Sequence, residues 1–146
     1  MPIPADVFEP DWIVTTGDGT DFMLVVEAKP RAAHLAETES QLKQYMLAMA
    51  CPVGLLATPQ AIRIYHDQYL SATEESVRLV GEYAAPPEWT SWGGVAFDDI
   101  VREWLERLTT ESGLRSLPAD LRRAVEEHLV PLLNQGVMRA AGPRRT

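Results

Sequence analysis

Apolar positions along the chain change period several times, and each change marks an element. Residues 11–16 alternate, with Trp12 and Val14 on one side and Asp11, Ile13 and Thr15 on the other, which predicts a strand. Gly17-Asp18-Gly19-Thr20 supplies the positive φ of a tight hairpin, and Phe22–Lys29 follows as a strongly apolar strand that ends in charge and is closed by Pro30. From His34 to Ala50 the period becomes helical: Leu35, Leu42, Met46 and Met49 form one stripe, leaving Glu37, Glu39 and Lys43 to face water. Cys51-Pro52 ends that helix, because the residue before proline disfavours the helical region. Val53–Ala57 and Ala61–His66 read as two strands, and Val77–Val80 as an edge strand. Residues 84–96 form a loop that Trp89 and Trp92 pack down. Helices follow over Asp98–Thr109, with Ile100, Val101, Trp104, Leu105 and Leu108 on one face, and over Pro118–Leu129, with Leu121, Val125 and Leu129 on one side. The predicted order is β-β-α-β-β and then helices: a mixed sheet with helical cover.

Size and composition narrow the class. At 146 residues and 46% hydrophobic, the chain suits one domain with a real core. A single cysteine, Cys51, excludes an internal disulfide framework and any multi-cysteine zinc site. No apolar run approaches the ~20 residues that span a bilayer, and the first residues lack the basic and apolar regions of a signal peptide. A cytoplasmic protein with no membrane association is expected. Within that domain, residues 1–83 form the core, 84–96 a connecting loop, 97–138 helices packing on the core, and 139–146 a flexible tail.

Charge is uneven. Residues 1–50 carry eight acids and three bases, residues 51–95 five and two, and residues 96–146 eight of each. Nucleic-acid binders draw most of their non-specific affinity from a basic stripe, which is missing here. A polyanionic substrate must therefore be held by a few local bases, by metal ions or by a partner.

The chemistry gathers in the first hairpin. Glu27 and Lys29 are two apart on one strand and share a face. Asp11 joins them if the connecting loop has an odd count centred on Gly19, which sets position 11 opposite 27; a two-residue Asp18-Gly19 turn sets it opposite 26. The odd loop is expected, because a buried strand rarely ends in Glu-Ala-Lys without a use for it. Two carboxylates on neighbouring strands suit a hard divalent cation such as Mg²⁺, with Lys29 placed to orient water and balance developing charge.

Pro10-Asp11, fifteen residues, then Glu27-Ala28-Lys29 resembles the signature of the PD-(D/E)XK nuclease superfamily. Gln41 and Tyr45, one helical turn apart, resemble the QxxxY motif of its RecB-like branch and of the nuclease domain of type I restriction subunits. Residues 53–58 and 62–65 are similar to the strands that follow in that group. The resemblance covers residues 8–67. It implies an α/β fold, with a restriction-endonuclease-like mixed β-sheet core flanked by helices and a C-terminal helical extension. It implies Asp11, Glu27 and the Ala28 carbonyl as ligands of Mg²⁺, with Mn²⁺ able to substitute. Lys29 would be the catalytic lysine, and Gln41 and Tyr45 would position the scissile strand or support it. The implied activity is DNA endonucleolytic hydrolysis in a restriction or defence system. Recombination or repair cleavage, or an inactive interaction module, are the alternatives.

Arg31, just past the motif, is a candidate phosphate contact. The family's usual first helix has no room in the ten residues before Asp11. The helix around 121–129, or a second copy of the chain, is expected to take its place, and a homo-oligomer or partner subunit to supply target recognition. His34, His66 and His128 show no metal-ligand spacing and read as surface or packing residues, although His34 lies near the Gln41 face. The Gly17–Thr20 turn lacks the length and later glutamate of a calcium loop. Trp89 and Trp92 could stack on bases, but packing is expected, and Arg139, Arg144 and Arg145 read as solvated.

Overall fold

The alternating residues Trp12, Ile13 and Val14 sort onto the two faces of one sheet. A computed structural model describes residues 8–91 and 95–141 of the chain. Strands β1 (Trp12–Thr15), β2 (Phe22–Ala28), β3 (Val53–Ala57), β4 (Ala61–Asp67), β5 (Val77–Ala84) and β6 (Val137–Ala140) form a six-stranded mixed sheet in the order β5-β4-β3-β2-β1-β6. Only β2 and β3 pair in parallel; β1–β2, β1–β6, β3–β4 and β4–β5 are antiparallel. Helix α1 (Leu35–Ala48) makes the parallel crossover, as such a connection requires. It therefore runs antiparallel to β2, with its N-terminus at the end of β2 where Glu27 stands.

The face under α1 buries Ile13, Val25, Leu42, Met46, Cys51, Leu56, Tyr65 and Val77. The opposite face carries the larger core. There Trp12, Val14, Leu24, Val26, Leu55, Ile62 and Ile64 meet α2 (Phe97–Arg107) and α4 (Ala119–His128) through Val101, Trp104, Leu105, Leu121 and Val125. The predicted apolar faces of the two C-terminal helices thus point into the sheet. The protein is a mixed α/β fold with helices on both sides of the sheet. Helix α4, expected to stand in for a lost first helix, lies on the face opposite α1. Among the described residues no helix is long and apolar enough to cross a membrane.

Several elements differ from expectation. Strand β5 extends to Ala84 rather than Val80, because it pairs with β4 along its whole length around a bulge at Ile64/Tyr65. Short helices α3 (Glu111–Arg115) and α5 (Val130–Gln135), and strand β6, carry no strong periodic signal; β6 exists because β1 offers a free edge to pair with. Arg139 and Ala140 accordingly belong to a strand, not to a tail. Arg139 is not merely solvated: it donates to Thr15 Oγ1 at 3.1 Å and to the Gly17 carbonyl at 3.2 Å. Met49, assigned to the apolar stripe of α1, is exposed, whereas Leu42 and Met46 are fully buried. Trp89 packs down its loop as expected, fully buried edge-on against Phe97 and Trp104. Trp92, Arg144 and Arg145 lie outside the described residues.

Candidate functional site

The position of Asp11 is decided by a bulge. Next to the turn, Thr15 faces Phe22, which is the register that would send Asp11 to Val26. One extra residue in β2 then shifts the pairing, so that Val14 faces Leu24 and Trp12 faces Val26. Extended by one position, this register sets Asp11 opposite Glu27. The bulge also explains why Phe22 packs on the α1 side while its neighbours Met23 and Leu24 both pack on the other. The two carboxyl groups come together as expected, but by way of a bulge next to the turn rather than an odd loop.

Hydrogen bonds lock this end of the hairpin. The Asp11 amide donates to the Val26 carbonyl at 2.9 Å, and the Ala28 amide donates to Asp11 Oδ2 at 2.8 Å. Lys29 continues the ladder, its amide donating to the Ala57 carbonyl at 2.8 Å, so its side chain shares the α1 face with Glu27. Asp11, Glu27 and Lys29 are half-buried, and Ala28 between them is buried. The Glu27 carboxyl is pushed up from 4.5 to about 8, first by burial and then by the charge and hydrogen bonding of Asp11, with Lys29 pulling the other way. Glu27 Oε1 is buried with no hydrogen-bond partner among the described residues.

An orphaned carboxylate oxygen next to a second carboxylate is a cluster that lacks positive charge. A proton can supply it, or a cation can. The donors Asp11, Glu27 and the Ala28 carbonyl are all hard oxygens, which fits Mg²⁺ or Mn²⁺ rather than a soft metal. Among the described residues no group of three or more His, Cys, Asp or Glu side chains gathers to hold an ion. An ion here would keep several waters, as Mg²⁺ commonly does.

The remaining candidates stand further off. Gln41 and Tyr45 lie on α1, both half-buried, with Gln41 one turn nearer the helix N-terminus. The Tyr45 ring packs against Phe8 and Phe22, 5.8 and 6.4 Å between centroids, and so belongs to the apolar cluster under α1. Burial, with the nearby Cys51 and Glu9, raises its hydroxyl above the ordinary value, so it keeps its proton. Arg31 is exposed on the loop between β2 and α1. His34, also exposed, adopts a left-handed conformation (φ 57°) at the start of α1.

One polar cluster beside the site was not anticipated. Glu39, expected to face water, instead accepts a 2.5 Å hydrogen bond from the hydroxyl of fully buried Tyr65. Arg63 approaches Glu39 at 3.6 Å and Glu82 at 3.5 Å, while Lys43 lies 3.9 Å from Glu39 and over the Tyr65 ring. The signal available in sequence was the alternation of Arg63 and Tyr65 in a buried strand, which placed two polar groups under α1. Cross-strand register puts Glu27, Leu56, Arg63 and Glu82 in one row on this face. His66 and His128, far apart in sequence, meet edge-on at 6.1 Å.

Compared with models of protein families, with curated proteins and with solved structures, the chain matches none. Fold and site together define a mixed α/β protein with a carboxylate pair and a lysine at the end of its central strands.

Proposed function

We propose that this chain is a metal-dependent DNA endonuclease with a restriction-endonuclease-like core, acting in the cytoplasm within a restriction or defence system. The observation that supports it most is the half-buried Asp11–Glu27 pair, with one orphaned oxygen and Lys29 on the same face.

Asp11, Glu27 and the Ala28 carbonyl would hold Mg²⁺, which when bound supplies Lewis acidity and makes a bound water more acidic. The Ala28 amide fixes the Asp11 carboxylate, so this ligand is oriented before any substrate arrives. Lys29 donates hydrogen bonds to the attacking water or to a phosphate oxygen, and its charge offsets the negative charge that grows on the phosphoryl group. Gln41 and Tyr45 would help position the scissile strand from α1, as the resemblance implies, although the Tyr45 ring packs against Phe22 at the other end of β2. Arg31 contacts backbone phosphate from the loop. Hydrolysis is direct, with water entering and the ester oxygen leaving, and no side chain forms a covalent intermediate.

The test is cleavage of supercoiled plasmid, linear duplex and single-stranded DNA with Mg²⁺ or Mn²⁺, with Lys29→Ala and Glu27→Ala in parallel. Activity lost in both variants supports the assignment. Activity that survives in both refutes it, and inertness on every DNA form favours an interaction module. A preference for branched substrates redirects the reading to recombination or repair.

A further inference from the structure

A single exposed apolar side chain is ordinary, but two in succession on a pinned loop are not. Tyr69 and Leu70, just past β4, are 67% and 75% exposed, more than any other described large apolar residue. Tyr69 has φ 59°, a left-handed conformation that a bulky residue adopts only at a cost. Buried Asp67 and Ser76 hold the loop there. Asp67 Oδ1 accepts from the Tyr69 amide at 2.9 Å and from Ser76 Oγ at 2.6 Å, and Ser76 Oγ accepts from the Leu70 amide at 2.9 Å. A loop fixed in this way presents its two side chains with little further ordering to undergo on contact.

Beside this knob lies a groove of about 470 Å³. Leu47, Ala48 and Ala50, at and just past the end of α1, line it together with Ser71 and Ala72, and Tyr69 forms one wall. The small side chains leave room for an aromatic ring. Knob and groove share one surface, which is what a two-fold contact between identical chains requires.

Charge favours the same occupant. With 21 acids against 13 bases, two copies of the chain repel over most of their surface. Residues 44–50 and 68–73, which build the groove and the knob, contain no charged residue. Asp67 also lines the groove, but it is buried and its carboxylate is turned to the loop. Beyond the loop, Glu74 is tied back to Ser40 and Gln44, and Glu75 marks where the uncharged stretch ends. A strongly charged partner finds nothing to pair with here. An identical chain meets the surface where its own repulsion is least, and a groove beside a knob that it carries itself.

We propose that two copies of this chain pair about a two-fold axis through this surface, the Tyr69–Leu70 knob of each seated in the groove of the other. The two stretches expose ten residues, fewer than the roughly 20–30 a side of a standard interface, so the dimer is a weak one. Helix α1 starts at the Glu27 end of the sheet and its 14 residues carry the groove about 20 Å away, so both carboxylate sites stay open. Because those sites take no part, pairing holds whether or not the protein cuts DNA.

Sedimentation velocity of the full chain in EDTA, over about 1–200 µM, tests this. The wild type should pass from monomer to dimer with a dissociation constant of about 1–100 µM. Tyr69→Gly removes the ring and takes the left-handed backbone without strain, while Ala48→Arg fills the groove. Each should weaken pairing at least about tenfold and leave the melting temperature of the monomer within about 3 °C of wild type. Mixed in equal amounts, the two variants should recover part of the association, because the intact knob of one meets the intact groove of the other. A wild type that stays monomeric at the highest concentration overturns the proposal and leaves the surface to a partner of different sequence. Dimers that both substitutions leave intact overturn it too, since they form elsewhere, and so does a mixture no more associated than either variant alone.

Discussion

Replacing Glu27 with glutamine tests the site without reference to any substrate. The amide keeps the shape of the side chain and removes one charge from the buried pair. Burial and Asp11 raise the Glu27 carboxyl from 4.5 to about 8. A carboxyl with a raised native pKa holds its proton more tightly folded than unfolded. Its stabilising contribution is therefore complete below pH 4.5 and is lost as pH climbs to about 8. The ceiling is about 1.4 kcal/mol per pH unit, or about 5 kcal/mol over the interval. Relaxation and water entry around a half-buried group reduce that to about 2 kcal/mol. An amide does not ionise, so Glu27→Gln should escape the decline. In EDTA, the variant's urea-unfolding free energy should gain on the wild type by about 2 kcal/mol between pH 5.5 and 8.5. Mn²⁺ reverses the ranking: at about 100 times its Kd it should add about 2.7 kcal/mol to the wild type and almost nothing to the variant. Because the ion displaces a proton, its affinity should rise about tenfold per pH unit until pH approaches 8. Parallel stability curves for the two proteins in EDTA would refute the reasoning, since Glu27 would then ionise like a surface acid.

Lys29→Met should lower cleavage about 100- to 1000-fold while the stabilisation by Mn²⁺ persists, which separates a catalytic lysine from a structural one. Tyr65→Phe removes the buried hydroxyl that donates to Glu39 and should cost about 1–2 kcal/mol in urea unfolding, with no effect on Mn²⁺ binding. Gly54→Ala would set a Cβ 2.6 Å from Met46 Sδ and should cost about 1–2 kcal/mol, part of which a smaller residue at 46 should restore in a double-mutant cycle. Deleting Met23 takes out the bulge while Thr15 still faces Phe22 and Val14 still faces Leu24, so the carboxylates stay together and stabilisation by Mn²⁺ should persist; its loss with an unchanged far-ultraviolet circular dichroism would show that the bulge itself shapes the site.

How much of this was legible in the sequence depends on where each element draws its stability. Helix α1 and strands β2, β3 and β4 bury residues at their own period, so Leu42, Met46, Val25 and Ile64 announce both element and face. Strand β6 draws its stability from β1, over a hundred residues away, and four residues of Val-Met-Arg-Ala carry no local sign of that partner. The chemistry lies between these cases. Glu27 and Lys29 share a strand, and strand parity alone placed them together. Asp11 joined them only if the loop count was odd, and the turn in fact closes on the other parity. The bulge at Phe22–Met23, which pattern does not reveal, restores the match. A one-residue irregularity thus turns an ordinary hairpin into one with two carboxylates on a single face. A hairpin formed for stability alone has no reason to keep a bulge that brings two like charges together in a half-buried position. The bulge next to the turn sets the register, the raised pKa of Glu27 at the far end of β2 is its cost, and a cation bound between the carboxylates would offset that cost.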